Sequence, residues 1–290
     1  MCLLKNKVAV ITGGTHGLGF GIAQAYVRAG AKVVVASRSI DSVKNAVTVL
    51  EEMGGEADGI SCDVGKFDDV KNVALYTIER FGRFDIWVNN AGVSSAYGPI
   101  IHVPRAQIEN VFKTNISGTY YGSLMAMQHF LRRGKGKLIN VSGRGDKRPV
   151  PLQNAYASSK SWIRSFTLAL AAEHKESGVG VYLFKPGLVD TDMLRKVEAI
   201  EGYEKRVGAL KTIMRMWGNT PQVPAQKAVW LASSATDGRT GLVVSVLDSH
   251  MMIRGLLREG IERLLQRNQE EFNMEIIPIH SELVLEEENE

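Results

Sequence analysis

The chain has 290 residues, of which 44% are hydrophobic and 23% charged, and its formal net charge is +4. These values are ordinary for a globular protein, and so small a charge gives no support for nucleic-acid binding. No apolar stretch approaches the roughly 20 residues that a membrane-spanning helix needs. The two cysteines, Cys2 and Cys62, lack metal-ligand spacing, and the first residues lack the pattern of a signal peptide. We therefore expect a cytoplasmic protein with no metal site, no disulfide framework and no membrane or nucleic-acid partner.

Short apolar runs rich in Val and Ile recur along the chain, separated by segments long enough for helices. Such runs are typical of strands that are covered on both faces of a parallel sheet. The sequence therefore predicts an α/β fold, a doubly wound Rossmann-type parallel sheet of about seven strands flanked by helices. We predict one domain over residues 1–249, whose function the motifs below indicate, and a C-terminal extension over 250–290. The predicted strands are Val8–Ile11, Lys32–Ala36, Gly59–Asp63, Ile86–Asn89, Lys137–Ser142, Val179–Lys185 and Gly241–Leu247.

The first predicted strand runs directly into a glycine-rich segment, Thr12–Gly19, called the glycine turn below. Glycines let the backbone turn sharply and approach a ligand closely, and the amphipathic segment Phe20–Ala29 predicts a helix after them. Because the free N–H groups at the start of a helix attract negative charge, this order of elements predicts a diphosphate cradle. The predicted cofactor-binding residues here are Gly13, Thr15, His16, Gly17, Leu18 and Gly19.

The second predicted strand ends at Ser37 and Arg38, where dinucleotide-binding folds usually place an acidic residue that binds the ribose 2′-hydroxyl. An arginine instead offers a positively charged fork that suits a 2′-phosphate, and His16 in the glycine turn can add to it. We therefore predict that Ser37 and Arg38 bind the cofactor, with NADP(H) preferred over NAD(H). The alternative is that Arg38 is an ordinary exposed arginine after a strand.

The third and fourth predicted strands end in residues that suit the adenosine half of such a cofactor. Asp63, followed by Val64, can accept a hydrogen bond from the adenine amino group. Asn90, Ala91 and Gly92 present small groups and bare backbone to the ribose. Either segment alone would also fit a helix cap or a turn, but their joint placement at one edge of the sheet favours cofactor binding.

Tyr156 and Lys160 are four residues apart in a segment that predicts a helix, so both side chains lie on one helical face. An isolated phenol has a pKa near ~10 and exchanges protons poorly at neutral pH. A neighbouring ammonium group stabilises the phenolate and lowers that pKa. We therefore predict that Tyr156 is an acid/base residue tuned by Lys160.

Together these motifs resemble the short-chain dehydrogenase/reductase family, in its smaller, single-domain type. The resemblance implies hydride exchange between a nicotinamide and a carbonyl or alcohol carbon of a small organic substrate, with Tyr156 moving the proton. It also implies that Lys160 holds the nicotinamide ribose and that Asn115 holds a water linked to Lys160. Family members are commonly homodimers or homotetramers, which we expect here too. The residues implied to line the nicotinamide are Pro186, Gly187, Val189 and Thr191.

One position departs from the family pattern. Gly143 stands where the family places a serine that binds the substrate oxygen, and Ser142 comes one residue early. Because consecutive strand side chains point to opposite faces, Ser142 needs a local distortion to act as this catalytic residue. Alternatively, a donor between residues 144 and 154, such as Gln153 or Asn154, binds the oxygen, or activity is impaired. The loss of one such donor typically costs about 100- to 1000-fold in rate.

The last part of the chain is predicted from weaker patterns. In similar proteins the segment of about 192–218 forms a mobile lid over the substrate. Beyond it, apolar spacing predicts a helix over Met251–Gln266, which we expect to pack on its own domain or on a neighbouring subunit. A strand is predicted over Glu275–Ile279 and a disordered acidic end over Glu286–Glu290. The candidate lid contacts are Met193, Leu194, Met214, Met216 and Trp217.

The function predicted first is that of an NADP(H)-dependent oxidoreductase acting on a small carbonyl or alcohol compound. The alternative is a cofactor-binding sensor or scaffold of the same fold with little catalytic activity, which Gly143 and the unusual extension favour. A third possibility, dehydration or epimerisation on the same fold, fits the glycine spacing and chain length less well.

Overall fold

The computed structural model describes residues 2–264 and 272–283, and a parallel sheet of seven strands lies at its centre. The order across this sheet is β10-β6-β5-β4-β1-β2-β3, and neighbouring strands pair in parallel throughout. The predicted doubly wound α/β fold is confirmed. The strands in chain order are β1 Val8–Thr12, β2 Lys32–Ser37, β3 Ala57–Ser61, β4 Ile86–Asn89, β5 Gly136–Val141, β6 Val179–Lys185, β7 Leu188–Val189, β8 Lys196–Ile200, β9 Gly218–Asn219, β10 Leu242–Ser245 and β11 Glu275–Ile279.

Helices cover both faces of the sheet, as right-handed crossovers between parallel strands require. One layer contains the first, second and ninth helices, and the other contains the third, fifth and sixth. The helices in chain order are α1 Gly17–Arg28, α2 Ile40–Glu52, α3 Phe67–Phe81, α4 Arg105–Val111, α5 Gly118–Arg133, α6 Asn154–Glu173, α7 Asp192–Arg195, α8 Glu204–Trp217, α9 Gln222–Ala232 and α10 Ser249–Leu264.

The inner strands of the central sheet bury both of their faces, which explains why they appear as continuous apolar runs, whereas the edge strands β3 and β10 are partly exposed. In β1, Ala9 and Ile11 pack into the core under α1, α2 and α9. Val8 and Val10, on the opposite face of the same strand, pack into the core under α3, α5 and α6. The central strands therefore stabilise both layers at once and hold their carboxyl ends in fixed positions.

The strand order reverses between β1 and β4, because the chain moves outward from β1 through β3 and then returns to the other side. Helices on opposite faces leave a crevice at such a switch point, beyond the carboxyl ends of the strands. The segments that follow β1, β2, β4 and β5 all open into this crevice. The fold thus brings residues from distant parts of the chain to one edge.

Several boundaries differ from the sequence-based prediction. Helix α1 begins at Gly17 rather than Phe20, because the last glycines of the glycine turn already have helical hydrogen bonding. Strand β3 ends at Ser61, so Asp63 lies in the loop after it. Its carboxylate accepts a hydrogen bond from the Gly65 N–H at 3.0 Å, which turns the chain toward α3.

The segment predicted as a lid, 192–218, is not helical throughout. After the short helix α7, strand β8 pairs in parallel with β11 of the C-terminal extension. The backbone of Tyr97 adds to the other side of β8: its N–H donates to the Glu198 carbonyl at 2.9 Å, and its carbonyl accepts from the Ile200 N–H at 2.8 Å. Here this small arrangement is called the cap sheet (Tyr97, β8 and β11).

Helix α10, predicted as Met251–Gln266, packs on α8. Gly255 allows the close approach, since a Cβ there would lie 2.4 Å from the Trp217 Nε1 atom. The ion pair between Arg215 and Glu259 fixes the same contact. Residues 265 and 266 of the predicted helix, and the predicted acidic end over residues 286–290, lie outside the described residues. The opposite face of α10 exposes Met252, Ile253, Leu256, Leu257 and Ile261.

Candidate active site

A cavity of about 300 Å³ lies at the carboxyl edge of the sheet, at the switch point. Most of the predicted site residues line it, although they come from widely separated segments. Thr15 does not line it: its hydroxyl contacts Nδ1 of His16 at 3.2 Å. The predicted cofactor-binding residues on the cavity wall are Gly13, His16, Gly17, Leu18, Gly19, Ser37, Arg38, Asp63, Val64, Asn90, Ala91, Gly92, Tyr156, Lys160, Pro186, Gly187, Val189 and Thr191.

The glycine turn is built by steric necessity. Gly13 and Gly17 have φ values of +62° and +53°, in the left-handed region that favours glycine. A Cβ at Gly19 would lie only 2.1 Å from the Gly13 carbonyl oxygen. The Asn90 amide fixes the turn by donating to the carbonyl oxygens of Thr12 and Gly13, at 3.1 and 3.0 Å. Asn90 therefore shapes the glycine turn, beyond its predicted place near the ribose.

The N-terminus of α1 faces this cavity without a cap. The side chain of His16, at the N-cap position, makes no capping hydrogen bond to the helix, and the first turn contains no acidic residue. The first N–H groups of a helix carry partial positive charge and need acceptors. An anionic diphosphate group fits this end of the cavity, because it supplies those acceptors and the glycines leave room for it.

The end of β2 contributes positive charge to the cavity. Arg38 is exposed, and no carboxylate of the described residues lies within ion-pair distance of it. The next residue, Ser39, caps α2 by accepting a hydrogen bond from the Ser42 N–H at 3.2 Å. This end of the cavity thus presents a cation where many dinucleotide-binding folds present an acid.

Asp63 lines the cavity, but its carboxylate already has a strong partner. Lys113 Nζ donates to it at 2.8 Å. Partial burial alone would raise the pKa of Asp63, but the hydrogen bonds from Lys113 and the Gly65 N–H hold that pKa below its ordinary value. Asp63 is therefore a fixed acceptor at the cavity wall, and its predicted contact with an adenine amino group stays a prediction.

Tyr156 and Lys160 project from the same face of α6. Lys160 is 5% exposed, and its Nζ lies 5.4 Å from the centre of the Tyr156 ring. The same Nζ donates to the Val141 carbonyl at 3.3 Å, which holds the lysine between β5 and α6. The two side chains thus form a fixed pair at one end of the cavity.

Burial dominates the electrostatics of this pair. It lowers the pKa of Lys160 to about 8 and raises the pKa of Tyr156 above its ordinary value, with a smaller contribution from Tyr97. The pKa of Tyr156 is thus raised, whereas a neighbouring ammonium group alone would lower it. The physical reason is desolvation, which disfavours the charged form of each group and so favours neutral lysine and neutral phenol.

Asn115 lies in a π-helical segment, Phe112–Ser117, between α4 and α5. Such segments are often found at functional sites. Its carbonyl oxygen accepts from the Val93 N–H at 2.8 Å, and its amide donates to the Val93 carbonyl at 2.9 Å and to Ser159 Oγ at 3.0 Å. The side chain is fully buried and ties the segment after β4 to α6. Its predicted role in holding a water stays a prediction.

Ser142 and Gly143, which follow β5, have different surroundings in the structure. Ser142 is 2% exposed, and its hydroxyl points to the Lys160 carbonyl at 3.5 Å rather than to the Tyr156 hydroxyl. At Gly143, an added Cβ would lie 2.6 Å from Tyr156 Oη. The phenol of Tyr156 thus packs directly on the bare backbone of Gly143. Ser142 nevertheless lines the cavity, and its predicted catalytic role stays a prediction.

Two residues on the cavity wall, Tyr97 and Leu210, were not singled out by the sequence; they belong to a loop and to the predicted lid segment. Gln153, one of the two amides that the sequence offered as a donor to the substrate oxygen, also lines the cavity. Burial raises the pKa of Tyr97 to about 12, although nearby Arg144 acts in the opposite direction. Of the predicted lid contacts, the two that line the cavity are Met193 and Leu194. Met214 is buried instead in the lid, and Met216 and Trp217 lie against α10.

The parallel sheet with its cleft at the switch point defines the class, a Rossmann-type α/β protein. Residues 7–202 match the family model described as short chain dehydrogenase. The chain is 39% identical over 191 residues to the uncharacterized oxidoreductase YxnA of Bacillus subtilis, covering 65% of this chain and 53% of that protein. It is 32% identical over 245 residues to 3beta-hydroxysteroid dehydrogenase 1 of Eggerthella lenta, and this match covers 84% of this chain and 93% of that protein. The chain belongs to the short-chain dehydrogenase/reductase family.

The solved structures agree with this assignment. The 3-ketoacyl-(acyl-carrier-protein) reductase of Brucella melitensis, complexed with NADH, superposes with a TM-score of 0.74 at 27% identity. That alignment covers 84% of this chain and 97% of the reductase. The chain spans about half the length of YxnA, so the match to that relative is to one part of a longer protein.

Proposed function

We propose that the protein is an NADP(H)-dependent oxidoreductase that transfers a hydride between the nicotinamide and a carbonyl or alcohol carbon of a small organic substrate. The observation that carries this proposal is the placement of Tyr156 and Lys160 on the same cavity as the glycine turn. When bound, the cofactor supplies the hydride. The protein then has to hold the substrate oxygen beside a proton donor, for which Tyr156 is the residue in position.

The pKa values of the pair support this division of roles. Burial keeps the Tyr156 phenol protonated at neutral pH, which a proton donor to a carbonyl oxygen requires. Lys160, with a pKa of about 8, carries a proton at neutral pH and lies beside the ring. The phenol proton passes to the substrate oxygen during reduction, and the charged lysine stabilises the phenolate that remains.

The proposal is tested by following NADPH oxidation with benzaldehyde, acetophenone and pyruvate, while NADPH binding is measured by its fluorescence. Turnover of any of these compounds supports an oxidoreductase. NADPH binding without turnover of a broader carbonyl and alcohol panel would favour the alternative, a cofactor-binding sensor or scaffold. That alternative draws its support from Gly143, which gives the substrate oxygen no side-chain donor.

The preference for NADP(H) over NAD(H) is part of the proposal. Arg38 has no acidic partner in the described residues and lies on the cavity wall with Ser37 and His16. A guanidinium group binds phosphate through charge-assisted, bidentate hydrogen bonds. A 2′-phosphate would give Arg38 the anionic partner that it lacks.

Arg38→Asp is expected to reverse the cofactor preference. The change removes the partner for a 2′-phosphate, worth about 1.5–3 kcal/mol, and supplies an acceptor for a 2′-hydroxyl. The ratio of kcat/KM for NADPH to that for NADH should fall by about 10- to 100-fold. Arg148→Asp, an equal charge change at an exposed arginine away from the cavity, is the control. An unchanged ratio in Arg38→Asp would refute the assignment.

We also propose that the substrate carries an acidic group. In the basic segment of residues 143–149, Arg144 lines the cavity near Tyr97, whereas Lys147 and Arg148 do not. Asp146 of this segment is turned inward to Lys185, at 2.7 Å. Arg144 therefore stands as a cation at the substrate end of the cavity, without an acidic partner in the described residues.

Arg144→Gln is expected to raise KM for an acidic carbonyl substrate by about tenfold, the effect of one exposed charge-assisted hydrogen bond. KM for a neutral substrate of the same size should not change. The measurement compares pyruvate with its methyl ester in wild type, Arg144→Gln and the control Lys147→Gln. Equal KM values for the acid and the ester in wild type would show that Arg144 is a solvated side chain.

We further propose a homodimer or homotetramer in a reducing, cytoplasmic setting. The exposed apolar face of α10 supports association, since a helix of this kind commonly packs on a neighbouring subunit. Cys2 and Cys62 are both free thiols, which supports the compartment. Within residues 2–264 and 272–283, no helix is both long and apolar enough to cross a membrane.

A further inference from the structure

Gln153 comes directly before α6, three residues ahead of Tyr156. Its backbone is fully used: the N–H donates to the Val150 carbonyl at 3.3 Å, and the carbonyl accepts from the Ala157 N–H at 2.9 Å. The residue is 5% exposed. Yet its side-chain amide has no hydrogen-bond partner among the described residues. A buried amide with two N–H donors and one acceptor is thus left unpaired.

Such a group is costly in a folded protein. An unsatisfied buried donor or acceptor typically destabilises the native state by about 1–3 kcal/mol, and most buried polar side chains have partners for this reason. Gln153 lines the same cavity as Tyr156. A ligand in that cavity can supply the missing partner, whereas the surrounding protein does not.

Another donor on this cavity is the Tyr97 phenol, but Tyr97 is only partly buried and so loses less than Gln153 by staying without a partner. Gly143 has no side chain, and the Ser142 hydroxyl is directed at the Lys160 carbonyl. Asn154, the other amide in this region, is exposed and does not line the cavity. The structure therefore separates the two amides that the sequence left as equal alternatives.

We propose that the Gln153 amide donates a hydrogen bond to the substrate oxygen that Tyr156 protonates, and so compensates for the serine missing at position 143. The inference rests on the proposed oxidoreductase function. In the reductive direction the reduced nicotinamide would supply the hydride by giving up a C–H bond, a new C–H bond would form at the carbonyl carbon, and the C=O π electrons would move to the oxygen. The Tyr156 proton then completes the hydroxyl group, while Gln153 stabilises the negative charge that develops on that oxygen.

The first test replaces Gln153 with Met, which has similar length and no N–H donor. With NADPH and benzaldehyde, kcat is expected to fall by about 100- to 1000-fold, the usual effect of losing one oxyanion donor. NADPH affinity should be unchanged, because the amide is proposed to contact the substrate alone. Asn154→Leu removes the neighbouring exposed amide and should keep wild-type kcat.

Thermal unfolding distinguishes this catalytic role from a structural one. Because the amide has no protein partner, Gln153→Met should leave Tm unchanged or raise it. A lower Tm with a small loss of kcat would assign Gln153 to the fold and overturn the proposal. The proposal is also overturned if Gln153→Met retains kcat within about threefold of wild type.

A second variant, Gln153→Glu, gives a pH-dependent signature. A protonated carboxyl group offers an O–H donor, whereas a carboxylate repels the charge that develops on the substrate oxygen. The ratio of variant to wild-type kcat should therefore rise as the pH falls, and a flat ratio would count against the proposal. If wild type itself turns over no carbonyl or alcohol compound, the proposed function fails. If wild type is active and both variants match it, the role of Gln153 alone fails.

Discussion

Tyr156→Phe is expected to lower kcat for carbonyl reduction by about 100- to 10,000-fold, the range typical of losing a general acid/base group. The variant removes a single oxygen atom, and the ring stays packed between Lys160 and Gly143. Because that hydroxyl is the proton donor of the proposed reaction, the loss should appear in kcat rather than in the affinity for NADPH. The measurement is the rate of NADPH oxidation at saturating cofactor with benzaldehyde, acetophenone and pyruvate.

The control for this variant is Tyr203→Phe, which removes a phenol oxygen away from the cavity. It should keep wild-type kcat and Tm. If Tyr156→Phe keeps kcat within tenfold, the proton comes from another group, and Tyr97 is the phenol to examine next, because it lies on the same cavity. Loss of NADPH affinity in Tyr156→Phe would instead assign the hydroxyl to cofactor binding.

The fold was predictable because its signals are local. The inner strands of the central sheet, β1, β2, β4, β5 and β6, are buried on both faces along most of their length, so they appear in the sequence as apolar runs bounded by turns. The glycine turn and the residues after β2 and β4 follow from those runs, because parallel strands bring their carboxyl ends to one edge. This reasoning placed Arg38, Asn90 and Tyr156 on the cavity that the structure shows.

The cap sheet could not be predicted in the same way. The segment containing β8 has helical spacing in the sequence, yet it pairs with β11 from the C-terminal extension. The strand predicted over Glu275–Ile279 is confirmed as β11, but nothing in either segment shows that two stretches so far apart pair with each other. Tyr97 reaches the cavity because its backbone is bonded to Glu198 and Ile200 of this sheet, and its sequence neighbours give no sign of that.

The sequence also could not predict the directions in which side chains point. The sequence placed Ser142, Gln153 and Asn154 near the missing serine, but it could not rank them. Ranking depends on which side chains are buried, which already have partners and which face the cavity. The structure shows that Gly143 lies against the Tyr156 phenol and that the buried amide of Gln153 lines the same cavity, and the role proposed for Gln153 rests on these two observations.

Gly19→Ala is expected to weaken NADPH binding by at least about 100-fold. The added Cβ would lie 2.1 Å from the Gly13 carbonyl oxygen and 2.4 Å from Asn90 Nδ2, so the backbone of the glycine turn has to move. That movement withdraws N–H groups at the start of α1 from the diphosphate site. Two lost charge-assisted hydrogen bonds, at about 1.5–3 kcal/mol each, give an effect of this size. Fluorescence titration with NADPH measures it directly.

The same clash should reduce stability. Overpacking of this kind costs about 1–3 kcal/mol, a decrease of several degrees in Tm for a chain of this length. Gly208→Ala is the matched control, because a Cβ at this position of α8 meets no atom within 4 Å. It should keep the wild-type affinity for NADPH and keep or raise Tm, because alanine has a higher helix propensity than glycine. If Gly19→Ala binds NADPH as tightly as this control does, the α1 N-terminus does not hold the diphosphate, and the cofactor has to bind elsewhere on the cavity wall.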